Sequence, residues 1–137
     1  MTEFDKSKSL QELEIEDWGE ATFDSYLVTE CHRLHRVPVK DFTVEDLRIM
    51  IGQNFGLEYL VPLAMERLRE NPLAEGDFYA GDLLANVLRV RSAFWLEFPN
   101  LKLEVIKIAE KAFEVPTITK IEFESIRQAY DSILKGI

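Results

Sequence analysis

Thr43-Val44-Glu45-Asp46-Leu47-Arg48-Ile49-Met50-Ile51-Gly52-Gln53 carries both the start and the buried stripe of a helix. Thr43 with Asp46 three residues on resembles a capped start, because a hydroxyl placed before the first turn can accept one of its orphan amides. Val44, Leu47, Met50 and Ile51 then recur at spacings that put their side chains on one face. Ile49 makes a second side apolar, so the pattern predicts a central helix running to about Gln53.

The same reading extends in both directions. Upstream, Phe23, Tyr26, Leu27, Cys31 and Leu34 form a helical stripe that Val37-Pro38-Val39 ends, and Ser9 with Glu12 spells a capping box for a short earlier helix. Residues 1–8 read as an unstructured lead-in, and 9–137 as one helical domain. Downstream, Leu57, Leu60, Val61, Ala64 and Leu68 mark a helix closed by Asn71-Pro72, with Pro62 either in its first turn or kinking it. Leu83, Leu84, Val87 and Leu88 predict a helix from near Tyr79, followed by a short aromatic turn at Phe94, Trp95 and Phe98. Pro99 suits the first turn of a helix whose face is Leu101, Val105, Ile108, Ala109 and Ala112, and Val115-Pro116 stops it. Thr119 and Glu122 are a full capping box for the last helix, faced by Phe123, Ile126, Tyr130, Ile133 and Leu134. No strict apolar–polar alternation persists for a strand length. The expectation is an all-α, compact single-domain bundle of about six to eight helices.

Composition agrees with one core: 137 residues, 47% hydrophobic, with 9 Phe, 4 Tyr and 2 Trp, need neither disulfide nor structural metal. Cys31 is the only cysteine, and MTEFDKSKSL is not a secretory leader, which together point to a reducing, cytoplasmic setting. No run approaches the roughly 20 apolar residues that span a bilayer. A net charge of −9 would repel a nucleic-acid backbone. The expected partner is therefore a protein, with no role for nucleic acid, membrane or cofactor.

Catalytic and metal signatures are sparse. Cys31 and His35 stand one helical turn apart beside His32, but two ligands fall short of the four a structural zinc site normally takes. The plainer reading is a core cysteine with two surface histidines. No nucleophile elbow or phosphate-cradling glycine loop occurs. A metal-dependent hydrolase built on Glu75, Asp77 and Asp82 is one alternative; its plainer counterpart is a hydrated loop leading into a helix, with acids at the positive end of the dipole. A small acidic helical adaptor is another.

The charge is concentrated. Between Ser9 and His32 stand seven acids and no Lys or Arg; Glu70, Glu75, Asp77 and Asp82 form a second base-free stretch, leaving the rest of the chain at +2. Both stretches can be ordinary solvated faces. Aromatic residues lie among these acids, however: Trp18, Phe23 and Tyr26 in the first, Phe78 and Tyr79 in the second. Acid around exposed rings suits a partner rich in Lys and Arg, since charge steers encounter while rings supply desolvated anchors. Phe23 and Phe78 read better as core.

Several longer words go beyond pattern: Asp17-Trp18-Gly19-Glu20-Ala21-Thr22-Phe23-Asp24-Ser25-Tyr26-Leu27, Asp41-Phe42 leading into the Thr43–Gln53 helix, Gly56-Leu57-Glu58-Tyr59-Leu60-Val61-Pro62-Leu63-Ala64, Asn71-Pro72, Glu75-Gly76-Asp77-Phe78-Tyr79 and Gly81-Asp82-Leu83-Leu84. Over about residues 10 to 90 the chain resembles a family of immunity proteins from contact-dependent growth inhibition (CDI) systems. That resemblance implies a stoichiometric inhibitor, not an enzyme, which binds the C-terminal toxin domain delivered by a neighbouring cell, commonly a nuclease. It makes the acidic segments candidates for meeting a basic toxin cleft. From charge and aromatics, the expected contact residues are Glu16, Asp17, Trp18, Glu20 and Asp24, with Glu75, Asp77, Tyr79 and Asp82. The Asp41–Gln53 word reads as a fold determinant, with Thr43 and Asp46 as a cap and Arg48 and Gln53 as partners for buried backbone or carboxylate groups.

Overall fold

Thr43 opens its helix as the sequence implies: Oγ1 accepts the Asp46 amide at 3.1 Å, and the Asp46 carboxylate accepts the Thr43 amide at 2.9 Å. The same reciprocal box starts the first helix at Ser9 and Glu12 (3.2 and 3.1 Å) and the last at Thr119 and Glu122 (3.2 and 3.0 Å). Each satisfies two orphan amides locally, at about 1 kcal/mol per cap.

The computed structural model describes residues 3–22 and 25–135. Its eight α-helices are α1 (Leu10–Glu14), α2 (Tyr26–Leu34), α3 (Val44–Gly52), α4 (Leu57–Glu70), α5 (Asp82–Leu88), α6 (Ser92–Glu97), α7 (Pro99–Phe113) and α8 (Lys120–Lys135), with a 3-10 turn at Val39–Asp41. Among the described residues the only β pairing is two isolated bridges, Ser9 with Pro38 and Glu75 with Ala80. The fold is all-α.

The short α5 is the centre. Leu83, Leu84, Ala85, Val87 and Leu88 are all buried, and α3, α4, α7 and α8 pack around them. A helix apolar on every side belongs inside a bundle. Ile49 has the same meaning in α3: it is buried along with Leu47, Met50 and Ile51, so that helix is interior on two faces. Gly81 precedes α5 at φ +92, a left-handed conformation, and an added Cβ there would lie 2.7 Å from Ile126 Cδ1 of α8. Glycine therefore suits the turn, and an added Cβ would also have to push the Ile126 side chain of α8 aside. Gly56, at φ +60 before α4, likewise receives Leu10 of α1, whose Cδ1 would be 2.7 Å from a Cβ.

Some details differ from the sequence reading. Pro62 lies in the second turn of α4, and the helix continues to Glu70 despite the missing amide. The helix expected from near Tyr79 begins only at Asp82, because residues 75–81 fold back as a loop. Asp82, only 2% exposed, accepts the Gly76 amide at 2.7 Å and the Phe78 amide at 3.0 Å, with the Tyr79 amide at 3.4 Å. Arg48 Nε of α3 lies 3.8 Å from the same carboxylate and makes a bidentate pair with Glu45, both bonds 2.6 Å. Glu45 in turn accepts the Asp77 amide at 2.8 Å. Arg48 thus fills the role foreseen for it, whereas Gln53 is exposed. Residues 3–8, read as an unstructured lead-in, run beside the 3-10 turn: Lys6 and Lys8 carbonyls accept the Lys40 and Val39 amides at 2.9 and 3.0 Å. Phe4 sets its ring edge-on to Tyr59 with centroids 5.1 Å apart, which gives this segment an apolar anchor.

Asp82→Ala strips buried amides and Arg48 of their acceptor and should cost about 3–5 kcal/mol in urea unfolding. Glu75→Ala, in the same acidic stretch but exposed, should change stability by less than about 0.5 kcal/mol. The Arg48 hydrogen bonds, opposed by burial and helped by the Asp77 amide, hold the Glu45 carboxyl below its ordinary value of 4.5. Its stabilising contribution is thus complete above that value and is lost as pH falls through the lower folded-state pKa. Glu45→Gln should flatten the acid limb of a plot of unfolding free energy against pH.

Candidate partner-binding site

Between α1 and α2 the chain runs as a strap, residues 15–22, that holds the first set of expected contact residues. Ile15 ends α1 in the left-handed region at φ 54, and its side chain is 90% exposed. Asp17 accepts the Gly19 amide at 2.7 Å and lies 3.7 Å from Arg36, which also donates to the Gly19 carbonyl at 2.5 Å. These bonds tie the strap to the C-terminal end of α2. Glu16 and Glu20 are exposed, and Asp24, like Phe23, lies outside the described residues.

Trp18 is not a free anchor. Its ring stacks on His35 with centroids 3.8 Å apart and planes 8° from parallel, and it meets His32 and Phe55 edge-on at 5.4 and 4.9 Å. His35, expected at the surface, is 1% exposed, because Trp18 covers it from a strap that the helical spacing of α2 does not reveal. Its Nε2 lies 2.8 Å from Glu14 Oε1. Cys31 is buried, and loss of solvation, reinforced by Glu30, pushes its thiol up to about 11. Such a thiol stays protonated and unreactive near neutral pH.

The second set separates by depth. Glu75 and Asp77 are exposed, and Tyr79 is half-buried, sharing a 2.7 Å hydrogen bond with Ser125 of α8. Asp82 is inside, its oxygens directed at backbone amides, so it is not the hydrated loop acid the sequence allowed. Phe78, expected in the core, is instead 71% exposed, with the Arg48 guanidinium 4.1 Å from its ring centre. Among the described residues no three His, Cys, Asp or Glu side chains converge as metal ligands. No hydrogen bond, ion pair or ring contact in the described residues joins the 75–82 loop to the strap.

What the strap does border is an open groove of about 800 Å³. Glu14, Glu16 and Trp18 form one wall; Leu27, Val28 and Cys31 of α2 form another. The α3–α4 turn supplies Phe55, Glu58 and Tyr59, and Arg91, Phe94, Glu97 and Phe98 close the far side. Four carboxylates face a single guanidinium, and five aromatic rings lie between them. Of the expected contact residues that are described, only Glu16 and Trp18 line it. Glu58 and Tyr59 sit within one of the quoted words, and Phe94 and Phe98 within the expected aromatic turn, but Glu97 carries no local signal; only the packing of α6 beside the α3–α4 turn brings it here. An open concavity of acids and rings suits reversible binding of cations.

Compared with known proteins, the chain matches a family model described as CDI immunity proteins over residues 12–105. No curated protein and no solved structure matches significantly. The matched span contains the strap, the groove walls and the 75–82 loop, and extends beyond the words legible by eye into α7. Because it covers well over half of the sequence, the chain belongs to the family of CDI immunity proteins.

Proposed function

We propose that this protein binds the C-terminal toxin domain of its cognate CDI effector in the cytoplasm of the producing cell and holds it inactive, the target being a nuclease with a basic surface. The observation that carries the reading is the family match over residues 12–105. The charge map supports the basic partner. Glu16, Asp17, Glu20, Glu75 and Asp77 have exposed side chains, and the chain as a whole carries −9. Together with Asp24 and the partly covered Trp18, these residues form the proposed contact surface, while Tyr79 and Asp82 shape the loop that presents Glu75 and Asp77. An inhibitor of this kind needs no chemistry of its own. It acts by steering a cationic partner into a rigid complex that excludes the toxin's substrate. Among the described residues no helix is long and apolar enough to cross a membrane.

Co-purification with the toxin domain encoded immediately upstream, followed by titration of toxic or nuclease activity, tests this directly. Saturating inhibition near one-to-one is the expected result; absence of both binding and protection refutes it. If charge steers encounter, the association rate should fall by about tenfold or more between low salt and 0.5 M salt, with dissociation less affected.

A further inference from the structure

Resting on the toxin-binding reading, we propose that the groove between the strap, α2, the α3–α4 turn and α6 receives a Lys- or Arg-bearing segment of the toxin, with Ile15 as an apolar contact at its rim. Glu16, Glu58 and Glu97 line this groove together with Trp18 and Phe55. A cation entering it meets carboxylates for its charge and ring faces for its stem, the combination that favours guanidinium and ammonium groups over neutral or anionic ones. The alternatives are disfavoured by the same charges. A second copy of this chain also carries −9, and a nucleic-acid strand would place phosphates against four acids.

Ile15 is the independent observation. It stands between two groove-lining residues, Glu14 and Glu16, and combines a left-handed backbone (φ 54) with a β-branched side chain that is 90% exposed. A branched side chain is strained in that conformation, and glycine would adopt it freely. With so little of the side chain buried in this chain, packing does not account for an isoleucine here. Burial against a partner does, and strained backbone at a binding surface is a recurrent pattern. Leu27 and Phe55, both partly exposed, give the groove lining further apolar surface.

The test compares three variants with the wild type for thermal melting, toxin affinity and association rate. Ile15→Gly should melt at the same or a higher temperature yet bind the toxin domain about tenfold or more weakly. Glu58→Lys combined with Glu97→Lys should slow association about tenfold at low salt, whereas Glu114→Lys, the same type of charge reversal outside the groove, should change it less than about twofold. If the double variant fails to fold, Glu97→Gln replaces it, with a smaller slowing expected. A wild-type complex that Ile15→Gly and the groove variants leave unchanged overturns the groove and keeps the immunity function. A wild-type protein that forms no complex removes the immunity reading itself.

Discussion

A buried carboxylate organises this fold. Asp82 stands at the first position of the central helix, and taking its charge out of water costs several kcal/mol unless it is well coordinated. Here the coordination comes from amides of the 75–81 loop and from Arg48 across the α3–α5 interface. Charge-assisted bonds to backbone amides are among the stronger local interactions available, and these act on three elements together. They fold the loop back, align α5 with α3, and hold Arg48 between Asp82 and Glu45. Asn86 adds a fourth connection by donating to the Arg48 carbonyl at 3.0 Å.

The packing around that anchor then shapes the functional surface. With α5 enclosed by α3, α4, α7 and α8, the short α1 and α6 are left at the margin, at either side of the α3–α4 turn. Leu10 docking onto Gly56 brings α1 to this turn, and Trp18 stacking on His35 presses the strap against α2. The groove is the space these contacts enclose. Its walls are held by buried packing and by the Asp17, Arg36 and Gly19 hydrogen bonds, so a partner would spend little conformational entropy on ordering them. Acidity and rigidity thus have different origins: the acids come from surface positions on four elements, and the rigidity from aromatic and aliphatic contacts beneath them.

Local signals in the amino-acid order were enough for the helices. A capping box involves residues three apart, and an amphipathic stripe repeats within one or two turns, so Ser9, Thr43 and Thr119 and the stripes of α3, α4 and α7 could be read without knowing any neighbour; in α8 the stripe held at Ile126 and Ile133, while Leu134 is 51% exposed. The family likeness was readable for a similar reason, since it lies in contiguous words between residues 10 and 90. Net charge and the two base-free stretches are likewise properties of the chain itself.

Burial of individual polar and aromatic groups was decided elsewhere. Asp82 and Asp77 look equivalent in sequence, yet one faces a ring of amides and the other water, because the turn geometry of 75–81 is completed by α3. His35 is buried only because a strap seventeen residues earlier lays Trp18 across it, and Phe78 is outside because its loop is clamped by backbone bonds instead of ring packing. Glu58 and Glu97 share a groove only through the docking of α6 beside the α3–α4 turn. Periodicity reports which face of a helix is apolar; which neighbour covers that face, and which charges meet across the gap, depends on contacts between residues distant in sequence, and only the folded chain contains them.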